Sequence, residues 1–223
     1  MSNGKIYPLW PVLLGEFQNP DHQEIKKELI EFFKEYEVKN KISRTGTENY
    51  NLFESKYNLH QEKNSALTKI LNFIANGFLS MAKNINKAEL DRMENKNPKF
   101  DVKIKESWFI KYNNGGAVMP HDHGNCSMSC VYYVQVGENA DLNNGSTYFL
   151  RPYNRGSSHK DLGGLRYVNG GASLFKAEEG KLLVWPSFIM HGSKPYNGDK
   201  NRIIISANAQ ISVMENGKPV RSV

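Results

Sequence analysis

Apolar residues recur at helical spacing in the first half of the chain and in short alternating runs in the second. Ile25, Leu29, Ile30, Phe32, Phe33 and Tyr36 fall on one side of a helical wheel, with charged residues opposite. The stripe predicts a helix from about Asp21 to Tyr36, started by Asn19-Pro20-Asp21 with Asp21 as N-cap. Leu67, Ile70, Leu71, Ile74, Phe78 and Met81 predict a second helix from about Ser65 to Asn84. Lys5 to Gln18 is apolar but carries Pro8 and Pro11, so it reads as an edge strand or an extended arm. Residues 38–63 are polar and signal little regular structure. Residues 85–100 form a polar connector with helical tendency near Lys87 to Asn95.

From Asp101 the period changes to that of strands, with Gly and Asn between the runs. Val102 to Tyr112, Met128 to Val136, Ser146 to Leu150, Ser173 to Lys176, Lys181 to Trp185 and Arg202 to Ile211 are the predicted strands. Asn113-Asn114-Gly115-Gly116, Asn143-Asn144-Gly145 and Asn197-Gly198 are turn signals. Arg151 to Gly171 is long, irregular and rich in Gly, Arg and Tyr, which suits a lid at a substrate entrance. Short strands at close spacing, with no helix between them, predict a mainly β jelly-roll with the two helices outside one sheet. The alternative is an α+β fold with separate halves. The expected organisation is a single domain over residues 1–223, with an arm and supporting helices over 1–100 and the barrel core over 101–223.

Composition narrows the function classes. Hydrophobic residues make up 39% and charged residues 23%, enough apolar material for a real core. No apolar run is long enough to span a bilayer, and Met1 to Tyr7 lacks a signal-peptide pattern, so the expectation is a cytoplasmic protein of a cell or a phage-infected host. The net charge of +6 is scattered and mixed with acids, so nucleic acid is not indicated as a partner. Cys126 and Cys130 read as two small side chains of one strand, too far apart along it for a disulfide. A homodimer stays open.

Chemistry concentrates around Met119-Pro120-His121-Asp122-His123-Gly124. In an extended backbone residues i and i+2 share a face, so His121 and His123 can converge while Asp122 points away. His191 follows Trp185-Pro186 at the end of another strand and precedes Gly192. Three imidazoles from two strand ends suffice for a mononuclear metal site with open positions. His22, His60 and His159 lack such a setting and read as surface residues. Arg202 starts a strand whose parity puts Arg202, Ile204, Ser206 and Asn208 on one face. On an interior face that guanidinium needs an anion, and a carboxylate matches it through two parallel hydrogen bonds.

The ordered set Tyr112-x-x-Gly115, His121-x-His123, Ser129-x-Val131-Tyr132-Tyr133-Val134, Gly180-x-Leu182-x-x-x-Pro186-x-x-x-x-His191-Gly192 and Arg202-x-x-x-Ser206-x-Asn208 resembles the 2-oxoglutarate/Fe(II)-dependent oxygenase superfamily. It is closest to a largely uncharacterised bacterial and phage branch. The resemblance covers roughly residues 102–211, with Ile6 to Pro11 similar to that branch's opening. It implies a double-stranded β-helix with Fe(II) at its open end, 2-oxoglutarate as co-substrate, and succinate and CO2 as products of hydroxylating a small molecule or peptide. It also implies His121 and His191 as metal ligands. Arg202 would hold the distal carboxylate, with Ser206 or a tyrosine of the Tyr132-Tyr133 pair assisting and Asn208 in the same cofactor-binding set.

Two departures mark this chain. The superfamily usually has a carboxylate two residues after the first histidine, where this chain has His123; the i+2 geometry favours His123 as the third ligand. The Arg202-to-Ser206 spacing is also longer than the familiar one. Asn125 and Asn208 are candidates to hydrogen-bond an imidazole. One rival is a cupin-type three-histidine dioxygenase or isomerase that does not use 2-oxoglutarate. The other is a jelly-roll binding module without catalysis.

Overall fold

The computed structural model describes residues 12–40, 51–90, 99–152, 171–215 and 218–219. In chain order these form β1 (Gly15–Gln18), α1 (His22–Lys39), β2 (Leu52–Glu54), a 3-10 turn at Leu59–Gln61, α2 (Ser65–Ile85), α3 (Lys87–Leu90) and β3 (Lys99–Tyr112). There follow β4 (Gly116–His121), β5 (Met128–Gln135), β6 (Thr147–Leu150), β7 (Ala172–Phe175), β8 (Lys181–Pro186), β9 (His191–Tyr196), β10 (Arg202–Glu215) and β11 (Lys218–Pro219).

The strands make two antiparallel sheets. The major sheet runs β1-β8-β5-β10-β3-β2, with β11 beside β10, and the minor sheet runs β4-β9-β6-β7. Period-2 alternation splits the major sheet into two apolar faces. Phe109, Cys130, Val134, Leu182, Val184, Ile203, Ile205 and Ala207 pack with Ile25, Leu29, Phe33, Ile70, Ile74 and Phe78 of the helices. Trp108, Ile110, Val131, Leu183, Trp185 and Ile204 face the other way, into a second core with Phe149 and Tyr196 of the minor sheet. Leu29, Ile70 and Phe78 are fully buried, and each such side chain contributes about 1.5–3 kcal/mol of burial. Both helices therefore lie outside one sheet, as their stripes predict.

Local chemistry explains the helix ends. The Asn64 side chain accepts from the Leu67 amide at 2.8 Å and starts α2. Asp21 stands at the N-cap of α1 but makes no capping bond; Asn19 Oδ1 instead accepts from the Asp21 amide at 3.0 Å. Gly180 opens β8 at φ +80°, with the His22 side chain 3.0 Å from where its Cβ would stand, so two requirements converge on glycine.

Several expectations are corrected. His22 is a core residue, 3% exposed, with its ring Nδ1 2.7 Å from the Tyr132 hydroxyl. His60 is half-buried against Ser107. β9 (His191–Tyr196) and β4 (Gly116–His121) are strands that the predicted set lacks. The polar stretch 38–63 contributes β2 to the sheet edge beside β3. Most of the proposed lid, residues 153–170, and His159 lie outside the described residues, as do residues 6–11 of the arm.

Candidate metal centre

The minor sheet brings the two histidine motifs together. β4 pairs with β9 so that His121 stands directly opposite His191. Two irregularities in that pairing bend β4, and Pro120 sits on it because β4 is an edge strand that need not donate at every position. His123 follows β4, tied by its amide to the Ser187 carbonyl at 3.0 Å. One ligand atom from each of His121, His123 and His191 lies within 4.8 Å of the others, and this set can hold a metal ion.

Each ring is oriented by a partner. His121 Nδ1 lies 2.9 Å from the Met119 carbonyl, and His191 Nδ1 lies 2.9 Å from the Ile189 carbonyl. A carbonyl accepts only, so both Nδ1 atoms carry the proton and both Nε2 atoms keep a lone pair. His191 is also packed edge-on to Trp185, with ring centroids 4.6 Å apart. Asn208 Nδ2 is 3.4 Å from His123 Nδ1, whereas Asn125 is exposed and makes no hydrogen bond to an imidazole among the described residues.

Burial holds the His123 and His191 imidazoles neutral. It lowers the His123 pKa to about 4, helped by the charge of His121 and opposed by Asp122. It lowers His191 to about 3, helped by His121 and opposed by the Ile189 carbonyl bond. Both folded values lie below the ordinary histidine value, so the unfolded chain binds more protons as pH falls below about 6.5. The metal-free protein is therefore expected to hold its melting temperature above about pH 7 and to lose it progressively below about pH 6. A melting temperature that stays level or rises on acidification would contradict neutral, buried rings. In the folded protein His123 and His191 stay neutral, and so able to ligate, until the pH falls toward about 4.

The histidines line one cavity of about 280 Å³ with Trp108, Ile110, Thr147, Ser193, Arg202 and Ser206. Arg202 is fully buried. Its guanidinium carbon lies 4.2 Å from the centroid of the Tyr112 ring and 5.3 Å from that of Tyr133. Its Nε and Nη1 have no hydrogen-bond partner among the described residues. Tyr133 is buried, and its hydroxyl is 2.7 Å from Thr147 Oγ1. Burial raises its pKa against the pull of the Arg202 charge, so it stays a neutral donor. Thr147 pairs with Ser193, which is two residues from His191 on β9. Successive same-face positions of a strand are about 7 Å apart, the length scale of an extended five-carbon diacid.

The sequence-derived residues thus sort into places. His121, His123, His191, Arg202 and Ser206 meet at the cavity. Asn208 backs His123 instead of lining the cavity. Tyr132 is a correction: strand parity turns it toward the helices, where Asn19 Nδ2 donates to its hydroxyl at 3.1 Å, and burial raises its pKa to about 12. Tyr132→Phe should cost about 1 kcal/mol of stability through the lost bonds and leave affinity for a cavity ligand unchanged. Tyr133→Phe should weaken such a ligand. Paired denaturation and ligand titrations read this, and the opposite assignment of the two effects would refute it. Sequence reasoning missed Thr147, Ser193 and Trp108, whose inward direction follows only from the pairing of distant strands.

Comparison with known proteins follows from this geometry. Residues 106–208 match the model of the family described as "Putative 2OG-Fe(II) oxygenase". No curated protein sequence matches the chain. Among solved structures, a prolyl-4-hydroxylase of Pseudomonas putida aligns at 13% identity and TM-score 0.56, over 88% of this chain and 92% of that one. HygX of Streptomyces hygroscopicus, solved with nickel and 2-oxoglutarate bound, aligns at 10% identity and TM-score 0.56, over 89% and 82%. SnoK, an alpha-ketoglutarate-dependent carbocyclase from nogalamycin biosynthesis, aligns at 10% identity and TM-score 0.62, over 94% and 89%. The fold is accordingly a double-stranded β-helix. The segment that carries His121, His123, His191 and Arg202 is the one that matches the 2OG-Fe(II) oxygenase model, as the resemblance read from the sequence led us to expect.

Proposed function

We propose that the protein is an Fe(II)- and 2-oxoglutarate-dependent oxygenase that hydroxylates a small molecule or peptide. The observation that carries this is Arg202: a fully buried cation, with Nε and Nη1 unpartnered among the described residues, on the wall of the cavity that holds the histidine cluster. An uncompensated buried charge costs several kcal/mol, on the order of 3–5, and a bound carboxylate removes that cost. The cluster fits a divalent metal, since imidazoles from three positions bring nitrogen atoms within 4.8 Å of one another.

His121 and His191 would hold the metal, with His123 beside it. Arg202, aided by Tyr133, Thr147 and Ser206, would hold the distal carboxylate of 2-oxoglutarate. With O2, the loaded centre supplies the oxidation, in which 2-oxoglutarate becomes succinate and CO2 as a C–H bond is hydroxylated. The chain's own part is to orient the diacid between the guanidinium and the histidines, and to exclude water with Trp108, Ile110 and Ile204.

The test is anaerobic loading with Fe(II), calorimetric titration with 2-oxoglutarate, then admission of O2. Metal-dependent binding followed by iron-dependent succinate is expected. Iron-loaded protein that neither binds the diacid nor forms succinate would refute the proposal, and metal binding alone would favour a cupin-type centre.

A further inference from the structure

We propose that His123 is not a third permanent metal ligand but a hydrogen-bond donor into the site, held in that role by a cross-strand row of Glu106, Asn208 and Ser129. This rests on the metal-and-2-oxoglutarate reading above.

Three adjacent strands build the row in register. Asn208 of β10 stands opposite Glu106 of β3 and opposite Ser129 of β5. Asn208 is 2% exposed. Its Nδ2 donates to Glu106 Oε2 at 2.9 Å, and its Oδ1 accepts from Ser129 Oγ at 2.8 Å. An ionised carboxylate offers acceptors only, so the amide cannot turn over without setting oxygen against oxygen. The β10–β3 pairing shifts register immediately after Asn208, an irregularity of the kind that re-aims a side chain beside a site.

The second N–H of the same amide is the group available to His123 Nδ1, 3.4 Å away. An atom that receives an N–H holds a lone pair, which puts the imidazole proton on Nε2. His121 and His191 have the opposite arrangement, because main-chain carbonyls take their Nδ1 protons. Two rings are therefore set to ligate through Nε2 and the third is set to donate from it. Ligation through His123 Nε2 would need a proton shift and an amide turned against Glu106. The position that a carboxylate fills elsewhere in the superfamily is left to an acceptor from outside the chain, water or an anion, which the His123 Nε2–H steadies.

Side-chain nitrogen NMR on metal-free protein labelled at histidine reads this directly. Protonated Nδ1 is expected for His121 and His191, and protonated Nε2 for His123; a protonated Nδ1 on His123 would overturn the proposal. Co(II) titration supplies a second readout. His121→Ala and His191→Ala should abolish binding, while His123→Ala should stay within about tenfold of wild type, the lower edge of what losing a supporting group costs. If His123→Ala abolishes binding as they do, the donor role fails and the three-histidine metal site stands. If no variant lowers affinity, the metal site itself fails. Glu106→Gln releases the amide, so His123 should shift toward the Nδ1–H form and Co(II) affinity should rise. An unchanged tautomer in that variant would mean that Glu106 does not position His123.

Discussion

Replacing Arg202 with methionine leaves a folded protein that no longer binds 2-oxoglutarate. The side chain is fully buried between Tyr112 and Tyr133, and its Nε and Nη1 meet no partner among the described residues. In the ligand-free protein the guanidinium is a cost offset in part by the two rings, so an apolar replacement of similar length should hold or raise the melting temperature. In the complex it is one half of a desolvated charge pair. Its loss should cost at least about 2 kcal/mol of co-substrate affinity, roughly 30-fold. The two effects have opposite signs, which separates a binding residue from a structural one. Calorimetry with metal-loaded protein measures the first and thermal unfolding the second. Lowered stability with unchanged affinity would show that Arg202 serves the fold.

His191→Ala is expected to remove metal binding altogether while leaving the sheets intact. The ring is buried against Trp185 and Phe149, and its Nδ1 is committed to the Ile189 carbonyl, so its Nε2 has one direction left to serve. Truncation deletes a ligand and opens a small cavity. A cost of about 3 kcal/mol, the lower edge for truncating a buried aromatic ring, is tolerable for the fold. The substitution also removes a base whose folded pKa is held near 3 by burial. The metal-free variant should therefore lose less stability than the wild type below about pH 6, since one fewer ring resists protonation. Metal titration and pH-dependent unfolding check both halves. Retained stoichiometric metal in His191→Ala would place the centre elsewhere.

Much of the fold is legible in the sequence because the pattern is strong where elements pack on one side. The stripes of α1 and α2 and the alternation of β5 and β10 place their cores correctly, and the parity of β10 puts Arg202, Ile204 and Ser206 on the cavity side. Strand parity also separates Tyr132 from Tyr133, between which the sequence left the choice open. β4 and β9 carry no clean alternation, for they are short, irregularly paired and contain Pro120, Gly192 and Pro195. Yet their pairing is what sets His121 against His191. Nor does local pattern show that His22 is buried, because its partner Tyr132 lies 110 residues away. Glu106 reads as one more charge on a strand until β3 and β10 are laid side by side.

The most direct test of the metal-and-diacid centre is a crystal structure of the protein soaked with Mn(II) and 2-oxoglutarate without oxygen. The expected density shows the metal on His121 and His191 and one carboxylate of the diacid paired with the Arg202 guanidinium. A diacid bound away from Arg202, or a metal that avoids the His121–His191 pair, would contradict the assignment.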